Sequence, residues 1–103
     1  MRAALVTLAK TLSVDIAEFN ITINNILTGF FDTERLKQLN EVKAEQLGKT
    51  ISDINNEIKS IIPMKRFGKV EEYANLVCFL ASEQSAYITG TNIPIDGGVL
   101  RSS

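Results

Sequence analysis

Ile88-Thr89-Gly90-Thr91-Asn92-Ile93-Pro94-Ile95-Asp96-Gly97-Gly98 reads as one short strand held between two glycine turns. Gly90 permits the turn that enters it. Residues 91–95 are too few for a helix, and Pro94 rules out a helix interior there. Pro94 also lacks a backbone N–H, which assigns the strand to a sheet edge or start. Asp96-Gly97-Gly98 ends it, because adjacent glycines favour positive φ and the aspartate accepts from nearby backbone N–H groups. Immediately upstream, residues 70–81 carry Val70, Tyr73, Ala74, Val77, Leu80 and Ala81 at helical spacing. Glu71 and Glu72 sit in the first turn, where the helix dipole favours them. Helix, turn and buried strand in that order form the closing part of an α/β unit.

Working back towards the N-terminus, Pro63 ends a helical pair, residues 34–47 and 51–62, broken at Gly48. Ile51, Ile54, Ile58 and Ile61 form one stripe, and Thr50 with Asp53 resembles a capping box. The charges of the first helix read as a solvated face. Before this pair lies the loop Thr28-Gly29-Phe30-Phe31-Asp32-Thr33, in which Asp32 or Thr33 can cap the next helix. Residues 21–27 precede it as a β-branched strand without clean alternation, which suits cover on both faces of a parallel sheet. Residues 2–18 open the chain as a helix with Leu5, Leu8, Leu12 and Ile16 on one stripe. Its other faces are small enough for close approach on more than one side, and Asn20 is the expected stop. Residues 82–86 read as a polar turn.

The 103 residues allow a single small domain. Eleven basic against twelve acidic residues leave a net charge of −1, which argues against nucleic acid as a main partner. One cysteine, Cys78, permits no disulfide within the chain and reads as a core thiol in a reducing cytoplasm. No apolar run is long enough to span a membrane. Lys10 and Asp15 interrupt the N-terminal pattern, which is not that of a secretory signal. Without histidine the chain lacks the commonest general base, and no metal site is expected.

Tyr87-Ile88-Thr89-Gly90, the apolar strand after it and Asp96-Gly97-Gly98 resemble the C-terminal signature of the short-chain dehydrogenase/reductase family. The wider order extends the resemblance over nearly the whole chain: strand, glycine loop with Thr33, long helical insert, Pro63-Met64-Lys65-Arg66-Phe67-Gly68, acidic-start helix. The nearest flavour is the 3-oxoacyl-carrier-protein-reductase-like group. The resemblance implies an α/β fold, the C-terminal part of a Rossmann-like doubly wound domain, with two parallel strands (21–27 and 91–95) and about four helices. Residues 1–103 form one partial domain, with residues 34–62 matching the family's substrate lid.

In that family the strand after the catalytic helix ends in Pro-Gly, with a threonine four residues beyond the glycine. Thr28-Gly29 stands here for Pro-Gly, and Thr33 fits the threonine. The resemblance thereby assigns Thr28, Gly29, Phe31 and Thr33 to the nicotinamide end of NAD or NADP, with no cofactor bound by this chain alone as the alternative. From the chain alone Thr33 reads first as a plain helix cap, and Arg66 as a surface or interface arginine before a contact for an anionic cofactor or acyl-carrier phosphate. Asn24 and Asn25 read as strand residues with satisfied hydrogen bonds. Arg2 falls where the catalytic lysine would be, although guanidinium is a poor geometric substitute for an ammonium.

The family's glycine-rich phosphate loop, catalytic serine and Tyr-x-x-x-Lys tyrosine are not in this sequence. Neither Tyr73 nor Tyr87 has a lysine four residues on. The chain is therefore expected to be inactive alone, as a truncated or split product, a fragment, or the result of a late start. The functional readings are an NAD(P)-dependent oxidoreductase acting on a carbonyl or alcohol, present as its C-terminal half, and a non-enzymatic oligomerisation remnant of such an enzyme. A homo-oligomer is expected, with a separate N-terminal half as a further partner. The free edge of strand 21–27 and the apolar side of the first helix both need cover.

Overall fold

Two short parallel strands, β1 (Asn25–Thr28) and β2 (Asn92–Ile95), form the centre of the computed structural model, which describes residues 2–100 and side chains from Leu5 to Leu100. Asn25 is in register with Asn92, and Thr28 with Ile95. α1 (Arg2–Ile16) leads in, and α2 (Glu34–Leu47), α3 (Ile51–Ile61) and α4 (Val70–Leu80) fill the crossover between the strands. This is the α/β arrangement with four helices and two parallel strands expected from the sequence.

The first strand starts later than expected and reaches one residue further. Ile23 and Asn24 are bonded to residues 88–91, by one backbone bond (Gly90 N to Ile23 O, 2.7 Å) and otherwise through side chains. Thr89 Oγ1 accepts from Ile23 N (3.1 Å), and Asn24 Oδ1 accepts from Thr91 N (3.2 Å) and Thr91 Oγ1 (2.5 Å). Asn24 Nδ2 donates to Ile88 O (3.1 Å), and Asn25 Nδ2 to Asn92 Oδ1 (3.0 Å). Both asparagines have their hydrogen bonds satisfied, and the Asn24 side chain stands in for the ladder just before β1. The second strand begins at Asn92 rather than Thr91 for the same reason.

Pro94 is tolerated because of where the ladder points. Asn25 N donates to Thr91 O (2.9 Å) and Gly29 N to Ile95 O (3.1 Å), so odd-numbered β2 positions face β1. Pro94 falls on the alternate position, whose missing N–H would point to the free edge. The far edge of β1 is likewise unpaired among the described residues.

The helices end close to their expected limits. α1 passes into a 3-10 turn, Ala17–Phe19, which Asn20 closes with φ 59°. Glu83–Ser85, read as a polar turn, is also a 3-10 turn. Gly48 caps α2 at φ 65°, and Thr50 and Asp53 form the expected reciprocal capping box on α3. α2 and α3 make an antiparallel hairpin. The buried Asn40 donates to Asn55 across it (3.1 Å), Ile54 fills its centre, and Lys49 pairs with Glu57 at its tip.

Two expectations about burial fail. Cys78 is exposed, not core: it lies on a side of α4 left open among the described residues. α1 is not covered on several sides; Leu5, Leu8 and Leu12 are exposed. It comes close to the rest of the chain at the buried Ser13, whose Oγ would lie 2.8 Å from a Cβ added at Gly90.

Candidate functional site

The carboxyl ends of both strands open into two neighbouring clefts, the place where open α/β sheets take ligands. One, of about 260 Å³, lies between the end of β1 and the turn after β2 and is lined by Thr28, Gly29, Phe30 and Asp96 among others. The second, of about 270 Å³, lies across Phe30 and is bounded by Phe31, Met64, Arg66, Glu72 and the Asp96–Gly98 turn. Among the described residues no cluster of side chains suits a metal ion.

Thr28 is the last residue of β1 and is exposed. Gly29 is glycine because of packing. A Cβ there would stand 2.6 Å from Asp96 Cβ and 2.7 Å from Asp96 Cα, so the two strand ends close on each other only without a side chain. Asp96 holds the opposite wall in shape: Oδ1 accepts from Gly98 N and Oδ2 from Leu100 N, both at 2.9 Å. Gly97 and Gly98 adopt the expected positive φ, 66° and 97°.

Phe31 and Thr33 do not line the Thr28–Gly29 cleft. The Phe31 ring is buried, edge-on to Tyr73 (centroids 5.5 Å apart, 87°), and bounds the second cleft. The Thr33 hydroxyl accepts from Leu36 N (3.2 Å) and caps α2. Its O–H remains available to donate. The side chain of Arg2, placed at the lysine position by the resemblance, lies outside the described residues. Arg66 spends its guanidinium on a bidentate pair with Glu72 (2.8 and 3.1 Å). The Arg66 hydrogen bonds, helped by one from Lys69 N, hold the Glu72 carboxyl down at about 2.

The backbone between these walls is unusual. Phe30 N and Phe31 N have no hydrogen-bond partner among the described residues. Like the Thr28 hydroxyl, they are donors of the kind an amide oxygen accepts. No glycine-rich turn at a helix N-terminus accompanies them, so nothing here fits a pyrophosphate. Phe30 and Asp96 escaped the sequence reading as cleft residues. Phe30 simply follows Gly29 in the chain, whereas Asp96 reaches Thr28 and Gly29 through the parallel register, which sets Thr28 beside Ile95.

Residues 1–100 match the family described as Enoyl-(Acyl carrier protein) reductase. The chain belongs to the short-chain dehydrogenase/reductase family. It is similar to the NADPH-dependent reductase BacG of Bacillus subtilis, with 43% identity covering 99% of this chain and 39% of that protein. It is also similar to the 3-oxoacyl-[acyl-carrier-protein] reductase FabG of Rickettsia felis, with 36% identity covering 96% of the chain and 36% of the relative. Among solved structures, a short-chain dehydrogenase family protein from Francisella tularensis superposes with a TM-score of 0.88 at 32% identity, covering 94% of this chain and 40% of that one. The short-chain dehydrogenase/reductase chain described here thus spans about two fifths of the length of the relatives it matches.

Proposed function

We propose that this chain works as the C-terminal half of an NAD(P)-dependent oxidoreductase that interconverts a carbonyl and an alcohol. The observation that carries the reading is the Thr28–Gly29 cleft at the carboxyl end of β1, in a chain matched over residues 1–100 by a reductase family. A nicotinamide bound there supplies the hydride. Thr28 and the unpaired N–H groups of Phe30 and Phe31 hold its carboxamide, Gly29 keeps the floor low, and Thr33 holds the loop to α2. The α2–α3 hairpin serves as the lid over the substrate. None of the 103 residues stands as a tyrosine–lysine acid, so the proton must come from residues outside them and the chain turns nothing over alone.

Calorimetry with NADH and NADPH on the 103-residue chain tests this. Saturable binding with no coenzyme oxidation over a panel of carbonyl compounds is expected. Absence of binding at millimolar coenzyme favours the second reading, an assembly module that has outlived its chemistry. That reading is supported by the exposed apolar face of α1 and the free β1 edge. In-frame coding sequence supplying the glycine loop and tyrosine decides between them in favour of the enzyme.

A further inference from the structure

We propose that residues 66–69 form a strap, pinned to Glu72, that sets the position of residues 30–32, which makes Arg66 and Glu72 positioning residues for the nicotinamide end of the site; this rests on the functional reading above.

The strap has two sides. On one, Arg66 Nη1 and Nη2 donate to the two oxygens of Glu72 (2.8 and 3.1 Å), and Nη1 also donates to Phe67 O (3.1 Å). Glu72 Oε1 accepts from Lys69 N as well (2.9 Å), so four consecutive residues wrap around one carboxylate at the start of α4. On the other side Gly68 pairs with the loop after β1. Gly68 N donates to Phe30 O and Asp32 N donates to Gly68 O, both at 2.9 Å.

The contact admits no side chain, because a Cβ on Gly68 would lie 2.6 Å from the Phe31 ring. That ring rests in turn on Tyr73, one residue beyond Glu72. The strap thus touches the loop through backbone and ring together.

The loop has few other holds. Gly29 N on Ile95 O anchors its start, and the Thr33 cap anchors its end. The unpaired N–H groups of Phe30 and Phe31 lie between those anchors, so their placement follows Gly68. An exposed ion pair ordinarily contributes little to stability. This one differs in geometry: the planar fork fixes direction, which an ammonium cannot do. The same geometry commits Nη1 and Nη2 of Arg66 to Glu72 and Phe67 O before any anion arrives.

The test is amide NMR on the full 103-residue chain, with NADPH titrations alongside. Arg66→Ala is expected to shift the Phe30, Phe31 and Asp32 amides while those of Asn40 and Asn55 in the α2–α3 hairpin stay in place. Arg66→Lys should give the same shifts at reduced size. NADPH binding by Arg66→Ala should weaken on the order of tenfold or more, the scale of a misplaced contact. Should Arg66→Ala fail to fold, Glu72→Gln, which keeps the side-chain size, takes its place with the same expected shifts. Unmoved amides at residues 30–32 in the folded variant overturn the strap. Moved amides in a chain whose parent binds no NADPH support the strap and overturn the nicotinamide reading instead.

Discussion

Gly29 illustrates how one atom decides the shape of the site. Its φ is not in the left-handed region, so the residue is not there for a turn. It is there because Asp96 occupies the space a methyl group would need. Gly29→Ala is therefore expected to push the strand ends apart and destabilise the chain by about 1–3 kcal/mol, the usual cost of overpacking. Urea denaturation followed by circular dichroism measures it, and an unchanged midpoint would show that the strand ends separate freely. Thr28 beside it has no such constraint, which leaves its hydroxyl to the cleft. Phe31 shows the reverse: its ring, assigned to a cofactor by resemblance, is committed to Gly68 and Tyr73 and reaches the second cleft only by its border.

Thr33 links the loop to α2, and the helix start depends on it. Thr33→Ala should remove the bond from Leu36 N and cost about 1 kcal/mol, whereas Thr33→Ser should keep the cap. Thermal unfolding of the two variants compares them. Equal stability would mean that α2 is held by the hairpin alone. That hairpin is closed upon itself through Ile54, the Asn40–Asn55 pair, the Gly48 cap and the Thr50–Asp53 box. β1 and β2 depend on each other more tightly, since each offers its second edge to nothing in the described chain. A two-stranded sheet is marginal in water without further cover.

The molecule as a whole is drawn out to 55 × 27 × 22 Å, with a radius of gyration of 17.0 Å. A compact chain of this length would have a radius of about 13 Å. The difference is visible in the surface: Leu8 is 56% exposed and Val14 71%, both on α1, and Ile54 and Ile62 are the large side chains that are fully buried. Apolar side chains exposed together along one helix mark a surface that association can cover. We expect the purified chain to self-associate, and Leu8→Asp to weaken that association. Light scattering over a concentration series checks both. A monodisperse monomer would show that the exposed faces tolerate water.

Local chemistry was enough to place most of the elements. Helical periods, Pro63, Gly48, the Thr50–Asp53 box and the Asp96-Gly97-Gly98 turn act within a few residues of themselves, so they survive in the sequence alone. The strand limits did not follow from it, because residues 21–24 are beta-rich in type, yet Ile23 and Asn24 are held through the Asn24 and Thr89 side chains in bonds that span more than 60 positions. Cys78 was misjudged for a related reason: helical periodicity marks an apolar face but not whether anything comes to cover it. The site divides the same way. Thr28, Gly29 and Phe30 are neighbours in the chain and meet at the cleft by sequence alone, whereas Asp96 and the grip of Gly68 on the loop exist only once parallel pairing and the residue 66–69 connector bring distant backbones to within about 3 Å of one another.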